Sequence, residues 1–193
     1  MPSHVVFVCV GNRVRSVFAE FFLGDTFCKR GEDIAVSSAG FIPQTLKDQL
    51  AQLNIRFPEP FYNRPMSELT MTALLEKGIG VPEGWRSKEL SLEMIREADL
   101  IITALPTQKE DISGLYREAR NKTFTIRDLS KRDDYLFFED FSAIPFNDNF
   151  WHYCEEDPEY VSKTLRTWEE TLTRAIPNII EQLGIRYDEE KNN

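Results

Sequence analysis

Apolar residues open the chain as a short unbroken run, Val5-Val6-Phe7-Val8, which gives way abruptly to Cys9-Val10-Gly11-Asn12-Arg13-Val14-Arg15-Ser16. A run of that length, bounded by turn residues, predicts a strand buried on both faces. From Ser16 to about Arg30 the spacing becomes helical, with Phe18, Phe21, Phe22 and Leu23 as core residues. Ile34 to Ser38 predicts a second strand. Leu46, Leu50 and Leu53 place a short helix inside a stretch, about 41–65, that is rich in proline and aromatic residues. Leu69 to Lys77 is helical and stops at Gly78. Ser91 is the N-cap of another helix, with Met94, Ile95 and Ala98 facing inward. Leu100-Ile101-Ile102-Thr103 is a third buried strand. A helix from about Thr107 to Arg120 follows, then a short fourth strand over 122–126. The last element is a long helix from about Glu159 to Leu183, where Leu165, Trp168, Leu172, Ile176 and Ile179 recur at helical spacing. Pro177 within it predicts a kink.

Strands alternating with helices predict an α/β fold: one three-layer domain spanning 1–193, with a four-stranded, mostly parallel sheet flanked by helices. Ligands of such sheets bind beyond the C-terminal ends of the strands, and Cys9 stands at such an end. Length, 41% hydrophobic and 12% aromatic residues suit a globular domain. The net charge of −9 excludes sequence-independent nucleic-acid binding, which needs clustered Lys and Arg. No apolar stretch approaches a membrane span, and no signal peptide precedes the first strand, so the cytoplasm is expected. Three cysteines, Cys9, Cys28 and Cys154, do not make a disulfide framework. His4 and His152 lack the spacing of metal ligands, and no cofactor is expected.

The turn after the first strand carries the chemistry. It opens with a cysteine, closes with Arg15-Ser16 and leads into a helix. Backbone N–H groups of such a loop, with a helix N-terminus behind them, form a positively biased cup for an oxyanion. Arg15 adds a planar fork for two phosphate oxygens. The same field favours thiolate at Cys9, and Ser16 can donate a hydrogen bond to that sulfur. A lone cysteine at a strand end is ordinarily a small buried residue; the C-x5-R-S setting points instead to a nucleophile. A nucleotide-binding P-loop is excluded because no G-x-x-x-x-G-K-[ST] string occurs, and a dinucleotide site because the glycine triplet is missing.

Val8-Cys9-Val10-Gly11-Asn12-x-x-Arg15-Ser16, followed by Ala19-Glu20, resembles the low-molecular-weight protein tyrosine phosphatases and their arsenate reductase relatives. Val36-Ser37-Ser38-Ala39-Gly40 is similar to that family's second strand and S-A-G signature. Trp85-Arg86-Ser87-Lys88 falls where the family carries an H-R-S/A segment, and Ala98 to Thr103 resembles its third strand. The resemblance implies Cys9 as nucleophile, Arg15 with the loop residues Val10, Gly11, Asn12, Arg13, Val14 and Ser16 around the phosphate, and Ser38 supporting Asn12. It also implies an aspartate as general acid, for which two residues stand. Asp148, within Ile144-Pro145-Phe146-Asn147-Asp148-Asn149-Phe150, resembles the bacterial I-P-D-P-F form with two residues added and is the first choice. Asp157-Pro158 keeps the literal dipeptide and is the second choice, although Asp-Pro is also an ordinary helix start.

Four departures from the family bear on specificity and regulation. Val14 stands where many relatives have a second loop cysteine, and Val17 where they have proline. Arg13 occupies a position that helps choose the phosphorylated side chain. An arginine there either favours an anionic neighbour of the phosphate or points to solvent. The stretch at about 41–65 is longer than the family's connection, and it either packs as an insertion or borders the mouth with Phe61 and Tyr62. A thioredoxin-linked arsenate shuttle lacks its cysteine pair, since no cysteine lies between Cys28 and Cys154. The expected activity is phosphomonoester hydrolysis through a cysteinyl-phosphate intermediate, protein-tyrosine-phosphatase-like, on a phosphorylated protein or a small phosphate ester. The alternative is a catalytically weak phosphate- or anion-binding domain that senses or recruits a partner.

Overall fold

The first strand runs through the interior of the sheet. In a computed structural model that describes residues 2–131 and 150–185, β1 (Ser3–Cys9) pairs with β2 (Ile34–Gly40) on one side and β3 (Leu100–Thr103) on the other. β4 (Thr123–Thr125) lies beyond β3, giving the order β2-β1-β3-β4 with each pairing parallel. The sheet is therefore parallel throughout its described strands, where mostly parallel was expected. Val5, Val6, Phe7 and Val8 are at most 1% exposed, as a strand covered on both faces requires.

Side-chain alternation along β1 divides the core in two. Val5, Phe7 and Cys9 face the layer of α1 (Arg15–Lys29), α3 (Glu68–Glu76) and the long C-terminal helix, where Phe18, Phe27, Leu74 and Trp168 are fully buried. Val6 and Val8 face α4 (Leu92–Glu97) and α5 (Pro106–Leu115) through Ile95 and Ile112. A third apolar group sits over the C-terminal edge of the sheet. Val10 meets Leu46 and Leu50 of α2 (Gln44–Gln52), together with Phe150. This group roofs the loop after β1.

Several boundaries differ from the sequence expectation for local reasons. The helix expected to reach Arg120 ends at Leu115, because Tyr116 is extended (φ −121°, ψ 108°), and a 3₁₀ turn, Arg117–Ala119, follows. Leu53 lies just past α2 and is half exposed. A short helix after β4, α6 (Ile126–Ser130), was not anticipated; Thr125 and Asp128 start it with a reciprocal capping box. Nor was α7 (Phe150–Glu156), which falls where the resemblance places an acid loop. The last helix, α8 (Pro158–Gln182), buries Leu165, Trp168, Leu172, Ile176 and Ile179 as expected and is helical on both sides of Pro177. Ser91 caps α4, accepting from the Met94 amide at 3.1 Å. No helix of the described residues is long and apolar enough to cross a membrane.

Candidate active site

Cys9 is the last residue of β1, in register with Gly40 of β2, and α1 begins six residues later. The intervening loop turns at Asn12, whose φ of 54° is a left-handed value that asparagine tolerates better than most residues. Val14, at the N-cap, has no side-chain oxygen to offer, and the first turn of α1 contains no acid. The first amides of the helix are thus left for something other than the protein, as anion-binding helix starts are.

Beneath the loop lies a buried hydrogen-bond network. Cys9 Sγ and Ser16 Oγ are 3.0 Å apart. The Asn12 amide nitrogen donates to Ser16 Oγ at 2.9 Å and to Ser38 Oγ at 2.7 Å, while its oxygen accepts from the Lys88 amide at 2.9 Å. Asn12, Ser16 and Ser38 are each at most 1% exposed. The segment resembling the family's H-R-S/A stretch thus ends on the loop asparagine. Ser38 in turn donates to Glu20 Oε2 at 2.5 Å, so the Ala19-Glu20 pair that follows the loop meets the S-A-G strand.

A cavity of about 50 Å³ opens above the loop, room for a few water-sized groups. Cys9, Val10, Gly11, Arg13, Val14 and Arg15 form its floor. Its roof comes from Phe150, Trp151, Cys154 and Glu155 of α7, with Tyr160 and Thr164 of α8. Thr164 Oγ1 is buried there with no partner among the described residues. Arg15 is half-buried and faces the cavity without an ion pair among the described residues. Cys154 shares the cavity with Cys9; burial pushes its thiol up to about 12, against the pull of the Arg15 charge. A second thiol is therefore close to the loop, although Val14 removes the neighbouring one.

Arg13 does not point to solvent. It is 5% exposed, with Nε donating to the Pro65 carbonyl at 2.7 Å and its two terminal nitrogens engaging Glu155 and Glu156 of α7. Its charge is taken up inside the protein and does not stand free beside a bound phosphate. Arg64 reaches the same Glu155 oxygen at 3.1 Å. Burial, opposed by Arg13 and Arg64, holds the Glu155 carboxyl above the usual range. The other Glu155 oxygen lies 3.0 Å from where a Cβ on Gly11 would stand, so only glycine fits that loop position without a shift.

The stretch at 41–65 borders the mouth. Phe57, Phe61 and Trp151 form a mutually packed set with ring centroids 5.0–5.2 Å apart, and Phe61 also meets Tyr62 at 5.0 Å. Tyr62 Oη donates to the Val10 carbonyl at 3.3 Å. Burial, with Glu89 and Cys9 nearby, raises the Tyr62 phenol, which therefore stays protonated as a donor. Of the two candidate acids, Asp148 lies outside the described residues. Asp157 caps α8, accepting from the Tyr160 amide at 2.8 Å, and is not among the residues lining the cavity. Among the described residues no group of His, Cys, Asp and Glu gathers as a metal site would.

Comparison with known proteins agrees with this geometry. The family model described as low molecular weight phosphotyrosine protein phosphatase matches residues 4–55. A protein-arginine-phosphatase of Bacillus subtilis is 27% identical over 124 residues, covering 64% of this chain and 70% of that protein. Among solved structures, a low molecular weight protein tyrosine phosphatase from T. tengcongensis superposes with a TM-score of 0.65 at 23% identity, covering 91% of this chain and 99% of the other. The YwlE arginine phosphatase from Geobacillus stearothermophilus gives 0.63 at 24% identity, with 97% and 99% coverage. The likeness to these two structures is one of fold. In class, the chain is a cysteine-dependent phosphatase. Over residues 4–55, running from β1 past α2, it is similar to the low molecular weight phosphotyrosine protein phosphatases.

Proposed function

We propose that this protein hydrolyses phosphate monoesters on a protein, or on a small ester, through a cysteinyl-phosphate intermediate. Cys9 Sγ attacks phosphorus, the leaving oxygen departs with a proton from an aspartate, and water then releases phosphate and restores the thiolate. Arg15 and the amides of Val10 to Arg15 hold the equatorial oxygens, where charge develops in the transition state. Ser16 donates to the sulfur as it leaves, and Asn12 and Ser38 keep the loop in its left-handed turn. Asp148 is the acid in this reading, because Asp157 is engaged by the start of α8. The work is placed in the cytoplasm, with a phosphorylated protein as the macromolecular partner.

The observation that carries the reading is the contact between Cys9 and Ser16 at the base of an uncapped helix start, with Arg15 facing the same cavity. Turnover of p-nitrophenyl phosphate tests it, alongside inorganic phosphate binding by calorimetry. Wild type is expected to turn over, and Cys9→Ser to bind phosphate without turnover. Phosphate binding with no wild-type turnover refutes the enzyme and leaves an anion sensor. A panel including phosphotyrosine and phosphoarginine peptides then defines the ester.

A further inference from the structure

Four threonines lie on α8, and the hydroxyl of Thr164 is placed unlike the others. Thr167, Thr171 and Thr173 each donate to the carbonyl four residues back, at 3.1, 2.7 and 2.8 Å. That is the usual way a helix absorbs a threonine hydroxyl. Thr164 makes no such bond, and its Oγ1 has no partner among the described residues although the residue is only 3% exposed. Buried hydroxyls are ordinarily paired. This one belongs to the wall of the cavity that Cys9 and Arg15 share.

The rest of the roof has less to offer a polar guest. Phe150 has no polar side-chain atom, and the Trp151 N–H is spent on the Arg56 carbonyl at 2.9 Å. Glu155 is held by Arg13 and Arg64, and Tyr160 has a partner of its own. The Cys154 thiol is a weak hydrogen-bonding group. On the cysteinyl-phosphate reading, the floor is already committed to the phosphoryl group. Loop amides and Arg15 hold its equatorial oxygens, and Cys9 Sγ takes one apical place on phosphorus. With sulfur in the floor, the opposite apical place faces the roof. There the leaving oxygen departs and water arrives.

We propose that Thr164 holds the attacking water in the second half of the reaction, a role that rests on the cysteinyl-phosphate reading. A hydroxyl suits this duty because it accepts one hydrogen bond while donating another. Thr164 Oγ1 accepts one hydrogen of the water and gives its own to a phosphoryl oxygen. The other water hydrogen passes to the aspartate that the first step left ionised. As the water oxygen bonds to phosphorus, the S–P bond breaks and sulfur keeps the electron pair as thiolate. The first half-reaction contains no such water, so Thr164 is idle there.

That asymmetry gives the test. kcat/KM reports steps up to formation of the phosphoenzyme, whereas kcat also includes its breakdown. Stopped-flow release of p-nitrophenol from p-nitrophenyl phosphate resolves the two as a burst and a steady rate. Thr164→Val keeps the shape of the side chain and removes the hydroxyl. It is expected to slow phosphoenzyme breakdown about tenfold, the worth of one hydrogen bond made in the transition state. The burst rate and kcat/KM should match wild type, with KM falling alongside kcat. Thr164→Ser, which keeps the hydroxyl, should restore the breakdown rate.

An unchanged breakdown rate in Thr164→Val overturns the proposal. So does an equal fall in kcat/KM, which would make Thr164 a contact of the phosphate or the leaving group. A Thr164→Ser variant as slow as Thr164→Val overturns it too. Should Thr164→Val not fold, Thr164→Ala must show the same split between kcat and kcat/KM. Wild type that releases no p-nitrophenol removes the phosphatase reading itself, and the proposal with it. Wild type that turns over beside an unaffected Thr164→Val sinks the proposal alone.

Discussion

The guanidinium of Arg13 and the carboxylate of Glu155, 142 residues apart in the chain, meet where both side chains are more than nine-tenths buried. Together with Glu156 and Arg64 they tie the loop after β1 to α7 and to the stretch at 41–65. Arg13→Ala leaves Glu155 with Arg64 alone and Glu156 without its ion pair, and is expected to cost up to about 3 kcal/mol in urea unfolding, the lower end of the penalty for breaking a buried pair from one side. A loss below about 1 kcal/mol would show that α7 is not held this way. Because burial wins over both arginines at Glu155, the native protein binds that proton more tightly than the unfolded chain does. Stability from this group is therefore present below the unfolded carboxyl pKa and falls as pH rises towards the folded one. The stability of wild type relative to Glu155→Gln should accordingly decline as pH rises above about 4, the ordinary carboxyl range.

Asp157 is a helix cap. Asp157→Ala should lose about 1 kcal/mol of stability, the ordinary worth of an N-cap. It should leave the ratio of rates on p-nitrophenyl and phenyl phosphate unchanged, since a general acid matters most for the poorer leaving group. A selective fall on phenyl phosphate would reassign Asp157 to proton transfer.

Gly40 has no room for a side chain. A Cβ there would lie 2.4 Å from Tyr62 Cε1 and 2.8 Å from the Val10 carbonyl oxygen. Gly40→Ala is expected to destabilise by about 1–3 kcal/mol through overpacking. The second contact is loop backbone, so phosphate affinity should weaken as well. Calorimetric titration with phosphate and a denaturant melt check both; an unchanged affinity would mean that Tyr62 alone moves aside.

Cys154 should be chemically quiet although it shares the cavity with Cys9. With its thiol pushed up to about 12 by burial, it remains protonated at neutral pH, and the thiolate is the reactive form. Iodoacetamide at about pH 8, near the ordinary thiol pKa, should modify exposed Cys28 well before Cys154. Equal labelling would show that α7 opens freely.

Much of this was legible in the chain. The run Val5 to Val8 announced a strand buried on both faces, and the residues from Cys9 to Ser16 announced its loop, because both signals are local. Ser38 was legible only through the S-A-G resemblance. Glu20 was legible only as part of the motif that follows the loop; its partner, 18 residues away, becomes its neighbour only when β2 pairs with β1. Arg13 left open a substrate role or solvent because its counter-charges lie 142 and 143 residues further on. For α7, Phe150 looked like the tail of an acid loop. Its helical state depends on packing against Phe57 and Phe61, which no local pattern displays.

The floor of the cavity is finished by residue 16, yet apart from Leu46 its roof is drawn from residues 150–164. During synthesis the loop therefore emerges long before the wall that dehydrates it. A nascent chain halted ahead of α7 would carry the thiol and the arginine in open water, reactive toward oxidants and unshielded. Maturation of the site is thereby deferred until α7 and the start of α8 have been made.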